Sequence, residues 1–164
     1  MKRSIFSLLL ICLSLQLSAC SNPKSSSTTE YNSDTLIKNS VEIPYYQGKV
    51  YFIKNTVKNQ VPARIKSQSV FNQYFGYAYT ASSWKNRAID FEKEEVLVYD
   101  AGVVQRSMEI TPVALRQDGR TLHLFLKVKS GAAINYSIHP FLMLIIDKNK
   151  ADKLIFHVQQ EKAK

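Results

Sequence analysis

Acid–base, nucleophilic or metal chemistry in this chain would have to come from a short set of residues. The histidines are His123, His139 and His157. By strand alternation His123 and His157 lie opposite the leucine faces of their own strands, so they approach each other if those strands pair. Two histidines begin a metal site, but no third ligand is evident beside them, and structural or surface histidines are the alternative. Asp90, Glu92, Glu94 and Glu95 form the main acidic cluster. Paired carboxylates can do acid–base work. At the start of a strand, beside Lys93, they read instead as a solvated edge that discourages sheet-to-sheet aggregation. Asp147-x-Asn149-x-x-Asp152 has some spacing of a calcium loop, yet it carries Ala151 at the fifth position, Asp152 where glycine makes the sharp turn, and lysines all around. There is no G-x-S-x-G elbow and no H-E-x-x-H helix motif. The residue types therefore point away from catalysis, and no catalytic set, metal or cofactor is expected.

Recognition is a better match to the composition. Tyr77, Tyr79 and Trp84 follow Tyr74 and Phe75 closely, and rings with a polar tip are enriched at interfaces, although much of such a run must also serve as core. Lys148, Lys150 and Lys153 crowd into one expected turn of a C-terminal stretch, Lys127 to Lys164, that holds seven lysines and no arginine against three acids. Lysine without arginine favours a loose, hydrated charge over a bidentate clamp. These six residues are the candidate interaction positions.

The two cysteines have another use. Lys2 and Arg3 precede an uncharged apolar run from Ile5 to Leu17, long enough for a signal peptide and short for a membrane span. Leu17-Ser18-Ala19-Cys20 resembles the bacterial lipobox, which implies cleavage before Cys20 and acylation of its thiol and amino group. Residues 1–19 are then a lipoprotein signal peptide. Cys12 leaves with it, so the mature chain holds no disulfide, which suits an exported protein. The net charge of +9 falls to +7, 20 basic residues against 13 acidic. Export makes nucleic acid an unlikely match for that charge and leaves anionic lipid, glycan or protein surfaces. Ser21 lacks the aspartate that would resemble an inner-membrane retention signal, which leans toward the outer membrane of a bacterial envelope, facing the periplasm or the cell surface.

The elements that must position these side chains begin after a stalk. Residues 20–40 are rich in Ser, Thr and Asn, too polar to offset the entropy of being ordered, and read as a flexible linker. Residues 41–160 read as a single β-rich domain. Lys49–Lys54 and Glu95–Asp100 alternate as strands. Ser107–Leu115 is extended but interrupted by Pro112, which predicts an edge strand or a bulge. Asp118-Gly119 predicts a tight hairpin with positive φ at both residues. Thr121–Val128 returns with Leu122, Leu124, Leu126 and Val128 on one face. A strand over Ile134–His139 follows Ser130-Gly131. Phe141–Ile146 is apolar on both faces and predicts a central strand, and Lys153–Val158 closes the domain after a turn at Asp147–Asp152. Val70, Phe71, Tyr74 and Phe75 recur at helical spacing, with Ser67 as cap and Gly76 as left-handed stop. The expected fold class is mainly β: an antiparallel, sandwich-like sheet with one short packed helix.

The order IKSQSVFNQYFGYA, Trp84, IDFEKEEVLVYDAG, a hairpin and HPFLMLIIDK resembles uncharacterised bacterial envelope lipoproteins. More remotely it resembles the C-terminal domain of protease-complex accessory subunits of the PrcB type, over roughly Lys49 to Val158. The latter often carry a Gly-Gly-Tyr turn where this chain has Val103–Met108. That departure leaves a likeness of fold, and the function expected from the residues is a lipid-anchored, non-enzymatic binding module with an envelope protein partner. A protease-associated subunit or inhibitor is the narrower alternative, and an envelope hydrolase using Asp90, Glu92 or His123 the rival from another class.

Overall fold

The computed structural model describes residues 40–78 and 88–162. Ten strands and one helix follow in chain order: β1 (Val41–Glu42), β2 (Tyr46–Gln47), β3 (Tyr51–Ile53), β4 (Arg64–Ile65), α1 (Gln68–Tyr74), β5 (Phe75–Tyr77), β6 (Glu94–Asp100), β7 (Val104–Asp118), β8 (Thr121–Ile138), β9 (Phe141–Asp147) and β10 (Lys153–Lys162). They form a first sheet ordered β1-β7-β8-β10, a second ordered β2-β9-β6-β4, and a ribbon of β3 and β5. The chain is mainly β with one helix among the described residues, as its alternation predicts.

Two apolar cores follow from the faces of the second sheet. Leu97 of β6 and Leu142, Leu144 and Ile146 of β9 face Leu115, Leu122, Leu124 and Leu126 of the first sheet. On the opposite face, Val96, Val98, Met143 and Ile145 pack against Ile53, Phe71 and Phe75 of the helix and ribbon layer. Successive strand side chains point to opposite faces, so only a strand covered on both sides can be apolar throughout. That explains the unbroken run in β9, which lies between β2 and β6. Each large side chain buried there contributes about 1.5–3 kcal/mol.

The two main sheets share their chain. The β6–β9 ladder ends at Asp100 opposite Phe141, Ala101 N–H donates to the Pro140 carbonyl at 3.1 Å, and the same two chain segments resume as Val104 opposite Ile138 in the β7–β8 ladder. They thus turn a corner from one sheet into the other, the device by which sandwiches bend strands between layers. Gly102, at φ 75°, supplies the left-handed residue of that corner.

Several expectations hold locally. Pro112 lies at a register shift between Pro112 and Ala114, on a strand whose outer side is paired only near its end. Ser67 caps α1, its hydroxyl accepting from Val70 N–H at 3.4 Å, and Phe71 is buried beneath the helix. At the hairpin, Asp118 pairs with Thr121 and the loop is Gly119-Arg120, with positive φ (53°) at Gly119 alone. Asp118 is therefore the last strand residue and not half of the turn.

Other expectations change. Ser130-Gly131 does not interrupt β8, which runs through it and absorbs the irregularity as register shifts against β7. Gly76 is not a helix stop. It sits in β5 opposite Phe52, whose ring lies so close that a Cβ there would fall 2.4 Å from Phe52 Cζ. The Asp147–Asp152 segment is not a hairpin turn, because β9 and β10 belong to different sheets. It carries the chain between them, and β10 then pairs parallel to β8 from Lys153↔Thr121 to Lys162↔Ser130. The acidic cluster is not a solvated edge throughout: Glu95 is fully buried and Glu94 nearly so.

Candidate functional site

At the corner between the sheets, His139 follows the end of β8 and its Nε2 lies 2.7 Å from Asp100 Oδ1. Asp100 also accepts from Gly102 N–H at 2.8 Å and, through Oδ2, from Val61 N–H at 3.0 Å. Burial raises the Asp100 carboxyl, but the Val61 and Gly102 donors and then His139 outweigh it and hold it below the ordinary aspartate range. The carboxylate is thus a clamp with both oxygens committed. A cleft of about 340 Å³ opens beside it between Val57–Gln60 and Asp100–Val103, and no Ser, Thr or Cys is among the described residues lining it. The histidine–aspartate pair thereby positions the backbone at Val61 and Gly102.

Beyond His139 the sandwich gapes. Two adjoining clefts, about 300 and 280 Å³, share Ile110 and Phe141 and run from Met108 and Ile138 to Gln47 and Tyr51. The groove lies alongside the outer side of β7. Among the described residues, β1 covers that side only at Arg116 and Gln117, with Ile43 N–H reaching the Leu115 carbonyl, so Val104–Ala114 has no strand beside it. Most side chains along this stretch are exposed, Val113 at 55% among them, and Tyr136 on the facing strand is 61% exposed. An unpaired strand edge beside a groove offers main-chain hydrogen bonds and side-chain pockets together.

A second polar centre is internal. Arg64 of β4 grips Glu95 through both carboxylate oxygens and also donates to the Ala151 carbonyl at 2.5 Å and Asn149 Oδ1 at 3.1 Å. Asn149 Oδ1 accepts from Ala151 N–H as well, while Asn149 Nδ2 is buried with no partner among the described residues. Asp152 pairs with Arg120 at 2.5 and 2.6 Å. Of the oxygens that a calcium loop would need, those of Asn149 and Asp152 are therefore turned to two guanidinium groups. Neither Arg64 nor Arg120 stood out in the sequence. Glu95 did carry a signal, since it shares strand parity with Leu97 and Tyr99 and a carboxylate on a core face needs a cation.

His123 and His157 do meet. β8 and β10 pair, and His123 Nδ1 lies 2.9 Å from His157 Nε2 on the face of the first sheet away from the leucine core. Phe125 stacks on His157 with ring centres 4.4 Å apart. Burial and then His123 lower the His157 pKa below the ordinary histidine value. Among the described residues no group of three or more His, Cys, Asp or Glu converges.

Of the six candidate interaction residues, Lys148 and Lys150 are exposed in the link from β9 to β10, and Lys153 is exposed at the first position of β10. Lys148 donates to the Phe91 carbonyl at 2.5 Å. Tyr77 is half-buried in β5, edge-on to Tyr51 at 5.5 Å. Tyr79 and Trp84 lie outside the described residues, as does Cys20. No helix among the described residues is long and apolar enough to cross a membrane. Compared with known proteins, the chain matches no family model, no curated protein and no solved structure.

Proposed function

We propose that the chain is a lipid-anchored protein of the bacterial envelope whose β domain is a non-enzymatic binding module for another envelope protein, tethered through Cys20. The observation that carries this reading is the open side of β7 from Val104 to Ala114 beside the groove of Met108, Ile110 and Phe141. Such an edge accepts an extended segment as an added strand, the backbone supplying affinity and the groove selecting alternate side chains. Pro112 limits the run on one side, so the accepting stretch is Val104–Thr111. An envelope protease, the narrower alternative, is one partner that the test below would reveal.

The test is site-specific photo-crosslinking in the native envelope with the probe at Gln105 or Ser107, both exposed on β7. One protein should be captured in stoichiometric yield, and Ile110→Lys should abolish its capture while leaving that from Gln159, on β10, at background. Capture that is equal from both strands, or indifferent to Ile110→Lys, overturns the reading.

A further inference from the structure

β10 is the outermost strand of the first sheet, and among the described residues it has a strand on one side only. Its ladder with β8 runs residue for residue from Lys153 to Lys162 without a register shift, and its sequence holds neither proline nor glycine. Strand edges are blunted by bulges, by proline or by brevity. β7 has the first two, in its register shifts and Pro112. β10, 10 residues long, has none of the three. Leu154, Phe156 and Val158 pack at the margin of the core between the sheets and stay only partly buried, and Ile155 on the other face is 42% exposed. A long, regular edge with apolar side chains left open on both faces is a template for another strand.

We propose that two copies of this chain pair through β10, antiparallel and edge to edge, joining their first sheets into one. A two-fold axis normal to the sheet keeps every side chain on its own face, so the strand opposes its copy only in registers that match residues of like parity. With the axis at His157, Lys153 of each copy opposes Glu161 of the partner subunit, Ile155 opposes Gln159 of the partner subunit, and Phe156 opposes Val158 of the partner subunit. With the axis at Phe156, Lys153 falls opposite Gln159, and with the axis at Val158, Glu161 falls opposite Ile155. Opposite charges directly across a strand pair stabilise it, so charge selects the register centred on His157.

On the solvated face Lys153 is exposed, and Glu161 is held by Lys127 of β8 at 3.4 Å with 41% of its side chain open. In the pair that carboxylate stands between two ammonium groups, one from each copy. On the inner face the Phe156–Val158 contacts extend the core across the axis, beyond the point where Phe156 meets Tyr99 edge-on at 5.4 Å. At the axis His157 lies beside its own copy, each ring engaged with His123 of its own chain at 2.9 Å. Main-chain pairing supplies the affinity and the charges fix the register. The contact is independent of the open side of β7, which lies at the other edge of the β7-β8-β10 run.

The experiment is analytical ultracentrifugation of the full chain in mild detergent, the protein mass being followed over a range of concentrations for the parent, Lys153→Glu, Glu161→Lys and the double variant. The parent should sediment as a dimer that dissociates on dilution. Each single reversal sets like charges opposite each other at both ends of the contact and should weaken the dimer by about tenfold or more. The double variant restores opposite charges in exchanged places and should pair more tightly than either single variant. Ile110→Lys, on β7, should leave the dimer unchanged, which separates this contact from the β7 groove. A parent that is monomeric at every concentration, a dimer indifferent to both single reversals, a double variant no tighter than the singles, or dissociation by Ile110→Lys overturns the proposal.

Discussion

Glu95 and Arg64 define the residue scale, because a carboxylate at 1% side-chain exposure and a guanidinium at 12% survive inside a sheet only as a pair. Removing one partner leaves the other charged and desolvated, and Arg64→Met should destabilise the domain by about 3–5 kcal/mol. The double change Arg64→Met with Glu95→Leu should recover most of that loss, since apolar residues of similar size replace a buried ion pair well. Guanidinium denaturation of the single and double variants measures both numbers. His157 makes a separate prediction. Its pKa is lower folded than unfolded, so the unfolded chain binds more protons between the folded value and the unperturbed 6.5. Its contribution is complete above 6.5 and is lost as pH falls from 6.5 through the folded value. Thermal unfolding from pH 7.5 down to 5.5 should show a falling midpoint, and His157→Gln should flatten that fall.

At the scale of elements, β9 is the strand on which both cores depend. Leu144 points into the layer between the two main sheets and Met143 into the layer beneath α1. Leu144→Ala should cost about 2–5 kcal/mol, and Phe71→Ala, in the other core, about 3–5 kcal/mol. The cavities open in different layers, so the double variant should lose close to the sum of the two. Urea titrations test it, and a loss well short of the sum means that the layers yield together. β7 and β8 show the opposite economy. Their length passes through several register shifts because the same segments must leave one sheet and serve another, and bulges supply the bend and added twist.

For the whole molecule, the predictions concern where the domain is held. Cys20→Ser should block acylation and leave the protein with its leader intact or released from the membrane, as mass spectrometry of the N-terminus and fractionation will report. Lys148, Lys150 and Lys153 remain exposed around the link between the sheets. Near an anionic surface each lysine is worth about 1 kcal/mol. Changing all three to Glu in the Cys20→Ser background should reduce cosedimentation with anionic vesicles relative to Cys20→Ser alone. Moderate salt should mimic that change. Equal, salt-insensitive sedimentation of the two chains means that the lysines only solvate the link.

Local periodicity carried much of this architecture. The leucine face of β8, the two-sided burial of β9, the Ser67 cap and the disturbance at Pro112 were legible because alternation, helical spacing and proline sterics act within a few residues. The approach of His123 to His157 was legible as a condition, met once β10 paired with β8. Chain crossings belonged to the tertiary structure. Asp100 reaches His139 and Arg64 reaches Glu95, Asn149 and Ala151 across separations that no local pattern encodes. Gly76 looked like a helix stop because glycine ends helices. Only its pairing with Phe52 gave it another task, leaving room for an aromatic ring. Periodicity tells which face of a strand is apolar; which strand lies beside it, in which direction, and which charges are buried together is decided when the layers pack.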